Sequence, residues 1–194
     1  MNKLLIAALG LIPIALGQVQ HYEIQPNDSS KLELRVAKTG LYRGKTHVFV
    51  FPQYSGTLDY DEQHPENSSV SVSISAKDIQ LTDTWLSAND FKSVQEYARN
   101  DMLAANKYPE IQFQSTEVRA LDSSHFEVRG TLTIRGIARP SLVRISLEQG
   151  PRFTGSAVVR LTDYGLKPPK AALGLIGTEN DMKFSFSISP TPSH

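Results

Sequence analysis

The sequence predicts an all-β domain of antiparallel strands interrupted by one helical excursion, and three observations carry that prediction. Val70, Val72, Ile74 and Ala76 alternate with Ser71, Ser73 and Ser75, the period-two pattern that gives a strand one buried and one exposed face. Alternating segments of this kind recur along the chain, separated by clusters of Pro, Gly, Asn and Asp, as in antiparallel β-proteins. One stretch departs from the pattern. Phe91, Val94, Ala98, Met102 and Ala105 fall three and four residues apart, the spacing of a helix face.

The chain opens with Lys3 and an apolar run from Leu4 to Leu16 broken only by Gly10 and Pro13, followed by the small residues Ala15 and Gly17 around Leu16. A run of this length is too short to span a bilayer as a helix. Residues 1–17 therefore read as a cleaved secretory signal and 18–194 as one mature domain, periplasmic or secreted and without a transmembrane anchor after cleavage. Tyr22-Glu23-Ile24 begins the first strand and Pro26-Asn27-Asp28 turns it. Leu32, Leu34 and Val36 alternate with Glu33 and Arg35; Val48 to Phe51 stops at Pro52, and Leu58 and Tyr60 resume beyond Gly56.

The helical stretch covers about residues 87–106, with Ser87, Asn89 and Asp90 as capping residues and Pro109 barring its continuation. Strand pattern returns from Ile111 to Val118. Phe126, Val128, Leu132 and Ile134, with Gly130 completing the series, run to a break at Arg135-Gly136, after which Val143, Ile145 and Leu147 alternate again. This is a hairpin. Ala157, Val159 and Leu161 mark a further strand and Phe184, Phe186 and Ile188 the last. Between them, Leu166 to Asp181 is a Pro- and Gly-rich loop, and its Lys167, Pro168, Pro169 and Lys170 suit a lid over one end of the fold.

Composition narrows the function classes. The 194 residues carry 20 Lys and Arg against 20 Asp and Glu, a balance that lacks the electrostatic footprint of a nucleic-acid binder. There is no cysteine, which removes a lipidated N-terminal Cys, a thiolate nucleophile and thiolate metal ligands. The five histidines show no metal-binding spacing, and no G-x-S-x-G elbow, phosphate loop or dinucleotide fingerprint occurs. A non-catalytic protein with no metal and no cofactor is the expectation.

Alternating strands must bury their apolar faces, and on physical grounds a two-sheet sandwich and a closed barrel satisfy this equally. Two motifs decide between them by resemblance. GTLTIRGIARP, Gly130 to Pro140, resembles the hairpin of the YceI-like family of bacterial lipid-binding proteins. Lys107-Tyr108-Pro109-Glu110-Ile111-Gln112-Phe113 is similar to that family's strand entry, and Asp101-Met102-Leu103 looks like its D-F-L step with Met in place of Phe. The resemblance runs from Tyr22 to Ser189. It implies an extended, eight-stranded, antiparallel, lipocalin-like β-barrel from a Gram-negative-type cell. Its interior would hold a non-covalent polyisoprenoid chain, as a quinone or polyprenyl lipid. Departures cluster at one mouth: many members carry a His in the second strand where this chain has Lys38-Thr39-Gly40, and the segment from Ala76 to Lys92 is long and adds Trp85.

Under that resemblance the inward alternators Leu34, Val36, Phe51, Val72, Ile74, Phe113, Leu132 and Phe186 line the tunnel. Ordinary core packing is their competing reading. Arg99 contacts a head group, or else pairs locally with Asp101 or a loop carbonyl. Arg135 and Arg139 read as solvated turn residues. Two other functions stay open: an enzyme using Arg99, Asp163 and Tyr164 at the mouth, and a pocketless interaction module. The oligomeric state is open too, a homodimer included.

Overall fold

A computed structural model of the protein describes residues 19–193; the leader expected at 1–17 lies outside the described residues. The strands are β1 (Gln20–Ile24), β2 (Lys31–Gly40), β3 (Thr46–Val50), β4 (Tyr54–Tyr60), β5 (Ser69–Ser75), β6 (Gln80–Leu81) and β7 (Glu110–Ala120). They continue as β8 (His125–Ile134), β9 (Ile137–Glu148), β10 (Arg152–Arg160), β11 (Lys170–Ala171), β12 (Ile176–Thr178), β13 (Asp181–Ile188) and β14 (Thr191–Pro192). One sheet joins them in the order β2-β13-β10-β9-β8-β7-β5-β4-β1, with every pairing antiparallel.

The sheet curls into a half-barrel, and one end is stitched. Just beyond β13, β14 crosses to pair with β1 at the opposite edge, Tyr22 facing Pro192 and Glu23 facing Thr191. Asn27 Nδ2 donates to the Ser189 carbonyl at 3.0 Å, and Ser189 N–H donates to Ser30 Oγ at 3.0 Å. The fold is thus the expected antiparallel, lipocalin-like barrel type, but its sheet holds 14 strands rather than eight. Four of the strands are short pieces of two or three residues (β6, β11, β12 and β14), and ten longer strands remain. The segment from Leu166 to Asp181 contains β11 and β12, and β12 pairs with the end of β2. Its irregular composition hid the pairing: side-chain-free Gly177 faces Thr39 there, and a Cβ on Gly177 would stand 2.7 Å from Thr39 Oγ1.

The helical excursion is α1 (Ala88–Tyr97), extended by one π turn over Ala98–Met102. Ser87 caps it, its Oγ accepting from Asp90 N–H. Gln95 fastens α1 to the sheet end: its Oε1 accepts from Leu81 N–H at 2.6 Å and its Nε2 donates to the Ile79 carbonyl at 2.8 Å. Phe91 and Val94 pack on the core.

The two motifs that carried the resemblance meet at the far end of this helix. Ile134 pairs with Ile137, so Arg135 and Gly136 form a two-residue bend, both with positive φ (53° and 72°). Such a turn favours Asn-Gly, and Arg in the left-handed region is strained. Arg135 is held there because its Nη1 donates to the carbonyls of Asp101 and Met102, at 3.0 and 3.1 Å, the orphan acceptors of the π turn. A Cβ on Gly136 would lie 3.2 Å from Tyr108 Cε1, so the ring of the upstream motif covers the bend. Arg139 Nε donates to the Asp163 carbonyl at 2.8 Å. Half-buried Arg135 and solvent-exposed Arg139 therefore both tie distant segments together; backbone acceptors from such segments leave no trace in local sequence. Arg135→Ala is expected to lower stability by about 1–2 kcal/mol, read as a lower urea midpoint at unchanged slope.

Candidate functional site

Cross-strand register converts the alternation of each strand into rows that girdle the interior. Phe49, Leu34, Phe184 and Ala157 stand side by side across β3, β2, β13 and β10. Leu32, Phe186, Gly155, Ile145 and Phe126 form the next row, across β2, β13, β10, β9 and β8. On the opposite wall Val72, Phe113 and Leu132 align across β5, β7 and β8, with Ile74, Ile111 and Ile134 beside them. Gly155 makes its row possible: a Cβ there would fall 2.5 Å from Phe186 Cζ and 2.6 Å from the Arg144 carbonyl. The Phe186 ring lies across the bare backbone, an arrangement that rescues a strand glycine.

These rows do not meet in the middle. They enclose a cavity of about 650 Å³, within the range of small-molecule sites. Its wall includes Leu34, Val36, Phe51, Val72, Ile74, Phe113, Leu132 and Phe186, the eight alternators singled out from the sequence. Val94, Tyr97 and Met102 complete it from the helical excursion. Large inward side chains thus leave the interior hollow, contrary to a pocketless module. Arg99 is exposed on the π turn and is not part of the wall, nor is exposed Asp163. Tyr164 does face the cavity. Its hydroxyl donates to the Leu132 carbonyl at 3.4 Å, and burial, with Asp163 nearby, pushes its pKa up to about 12. That phenol stays protonated at neutral pH. The trio Arg99, Asp163 and Tyr164 does not form one site on the cavity wall.

Polar groups gather at one end, where β2, β3 and β12 run together. Lys38, His47 and Thr178 all line the cavity there; Lys38 faces Thr178, and Val36 faces His47. His47 is 6% exposed, and its Nδ1 lies 2.6 Å from Asp83 Oδ2. The Asp83 side chain is 1% exposed, and its Oδ1 accepts from Val48 N–H at 2.9 Å. A carboxylate only accepts, so the imidazole proton sits on Nδ1; His47 Nε2 has no hydrogen bond among the described residues. Trp85 stacks on His47 with ring centroids 5.3 Å apart and donates from Nε1 to the Thr46 carbonyl at 3.3 Å. Thr178 Oγ1 is buried without a partner.

Sequence reading missed this cluster. His47 and Asp83 are 36 residues apart, and only the Val36–His47 register brings the imidazole beside β2. The one available signal was the run of departures at Lys38-Thr39-Gly40 and Trp85.

Burial lowers the His47 pKa below its ordinary value against the opposing pull of Asp83, and burial likewise lowers that of Lys38. A depressed folded-state pKa means the unfolded chain takes up the proton more readily. The His47 contribution to stability is thus complete above about pH 6.5, the ordinary imidazole value, and is lost as the pH falls below it. Between pH 7 and 5 the unfolding midpoint is expected to fall in the parent protein and to fall less in His47→Asn, as read by thermal melts across that range.

Among the described residues no cluster of His, Cys, Asp and Glu could hold a metal ion, and no helix is long and apolar enough to cross a membrane.

The sequence matches the YceI-like domain over residues 22–188. Among curated relatives it is 27% identical over 128 residues to a UPF0312 protein of Pseudomonas savastanoi pv. phaseolicola, covering 61% of this chain and 63% of that protein. The match thus spans less than two thirds of the relative. Among solved structures, Burkholderia cenocepacia BcnA superposes with a TM-score of 0.65 at 18% identity, covering 82% of this chain and 94% of that one. A domain of Saccharophagus degradans superposes with a TM-score of 0.59 at 11% identity, covering 91% and 100%. That domain is described as polyisoprenoid binding and implicated in plant cell wall breakdown. At such identities the likeness establishes the fold.

Proposed function

The chain belongs to the YceI-like domain family, and we propose that it is an exported, non-catalytic carrier that holds a polyisoprenoid of quinone or polyprenyl type in its bore. The observation that carries this reading is the cavity itself: about 650 Å³ of space walled mainly by aliphatic and aromatic rows, with Lys38, His47 and Thr178 gathered at one end. A flexible isoprenoid recovers about 0.8 kcal/mol for each methylene-sized group it withdraws from water. An apolar tube needs few polar contacts to exploit that gain. The tail occupies the rows, and the oxygenated head sits beside Lys38, His47 and Thr178, where Thr178 Oγ1 lacks a protein partner. Leu34, Val36, Phe51, Val72, Ile74, Phe113, Leu132 and Phe186 contact the tail. The polyisoprenoid-binding description of the Saccharophagus degradans domain supports the ligand class, and the apolar N-terminal run from Leu4 to Leu16 supports export.

Native mass spectrometry of protein isolated from its own cell envelope, followed by lipid extraction, tests the proposal. The expected result is a co-purified prenyl lipid whose readdition to delipidated protein raises the unfolding midpoint. Ligand at a hundred times its Kd adds about 2.7 kcal/mol. Repeated recovery of an empty, folded protein that no prenyl lipid stabilises would sink it.

A further inference from the structure

Exposed apolar side chains cluster at the polar end of the bore. Of the seven large hydrophobic residues that stand exposed among the described residues, four are on two neighbouring loop tips: Leu41 (73%) and Tyr42 between β2 and β3, and Leu173 (106%) and Leu175 between β11 and β12. The other three, Tyr97, Leu121 and Val158, lie on separate elements. Isolated exposed apolar residues are ordinary, whereas a cluster on adjoining tips marks an interaction surface.

The two tips are built as a unit. Ile176 faces Gly40 across the β12–β2 pairing, and Leu41 N–H donates to the Leu175 carbonyl at 3.0 Å. Ala172 and Leu173 both adopt left-handed backbone, with φ of 48° and 56°. That conformation is strained for residues with a Cβ, and here it leaves Leu173 wholly in solvent.

Within the two tip segments the charge has one sign; the acids that border them are Asp83, its side chain buried against His47, and Glu179 just past β12. Residues 38–47 and 166–178 contain Lys38, Arg43, Lys45, Lys167 and Lys170 and no Asp or Glu, in a chain of zero net charge. Arg43, Lys45, Lys167 and Lys170 are exposed, and none of them forms an ion pair among the described residues. The wall of the bore runs out to exposed Lys170 and Ala171, next to the tip that carries Leu173.

We infer that these tips dock the protein on an anionic lipid bilayer, with the mouth of the bore against the membrane. The leucines and Tyr42 enter the interfacial layer and the four exposed cations face the lipid phosphates, a pairing of apolar anchors with basic residues that binds peripheral proteins to membranes. A protein partner would need acidic groups matched to scattered cations, whereas a bilayer offers a continuous anionic plane to tips of any outline. Docked this way, the bore opens directly onto the acyl layer, so an apolar ligand passes between membrane and cavity without crossing water.

Co-sedimentation of the delipidated full chain with vesicles of phosphatidylcholine alone, or with phosphatidylglycerol added, tests the inference. Binding is expected on the phosphatidylglycerol vesicles, weakening at least about fivefold when salt shortens the screening length. Leu173→Ser with Leu175→Ser, and separately Arg43→Glu with Lys167→Glu, are each expected to weaken it at least about tenfold. None of these four residues lines the bore, so thermal stabilisation by a prenyl alcohol added in solution should be unchanged in both variants. Failure to bind phosphatidylglycerol vesicles, or equal binding by the parent and the leucine variant, overturns docking and leaves the carrier reading intact. So does a protein captured through the tips by a chain that ignores vesicles. Loss of prenyl stabilisation in the parent strikes the carrier reading alone.

Discussion

Val72→Trp combined with Leu132→Trp is expected to abolish the thermal stabilisation that a saturating prenyl lipid gives, while the ligand-free protein stays folded. Val72 and Leu132 flank Phe113 in one cross-strand row, and all three line the cavity while remaining only partly buried. Two indoles added there enter empty space at a single cross-section, closing the bore beside the Phe113 ring. Overpacking a filled core costs about 1–3 kcal/mol; with open volume ahead of each ring, the ligand-free cost should fall at the lower end of that range. The stabilisation to be lost, about 2.7 kcal/mol at a hundred times Kd, is read by melts with and without a prenyl alcohol. Leu132→Met alone, nearly equal in volume, should bind as the parent does. A tryptophan pair that binds normally would mean the lipid lies outside the bore.

The second large effect belongs to Asp83. Its buried carboxylate serves two donors at once, His47 Nδ1 at 2.6 Å and Val48 N–H at 2.9 Å. Asp83→Ala leaves both buried donors without partners, and each abandoned polar group costs about 1–3 kcal/mol. A total loss of about 3 kcal/mol is expected in urea unfolding at neutral pH. Asp83→Asn, which keeps one carbonyl acceptor, should lose less. If Asp83→Ala costs under about 1 kcal/mol, the polar end is hydrated and adaptable rather than fixed.

The wall of the bore was legible in the sequence and its polar end was not, for a reason that lies in how strands encode position. Period two is a local property: once Leu34 is inward, Val36 is inward, and the same holds for Val72 and Ile74 or for Leu132 and Ile134. Which strand lies beside which is not local. His47 reads as an isolated histidine until β3 is laid on β2. Asp83 sits just past the two-residue β6, too short to show any alternation. The ties made by Arg135 and Arg139 were hidden because their partners are backbone carbonyls of Asp101, Met102 and Asp163, which any residue supplies. Arg99 is a different case. Helical spacing located its helix, but the end of that helix winds as a π turn, and Arg99 stands exposed there.

The rows that make the bore have a further consequence for how its length is set. Along any strand, residues on the same face recur every second position, a step of about 6.6–6.8 Å. The tube is therefore graduated: Val36, Leu34 and Leu32 are successive marks on β2, met by His47, then Phe49 and Phe184, then Phe186 on the adjoining strands. A single-residue insertion would not lengthen it, because the shift turns every following side chain to the opposite face. Lengthening needs two residues at once, matched on each neighbouring strand. Under the carrier proposal, tail length is a stepped quantity, and a bore built for a longer or shorter tail should differ by whole rows.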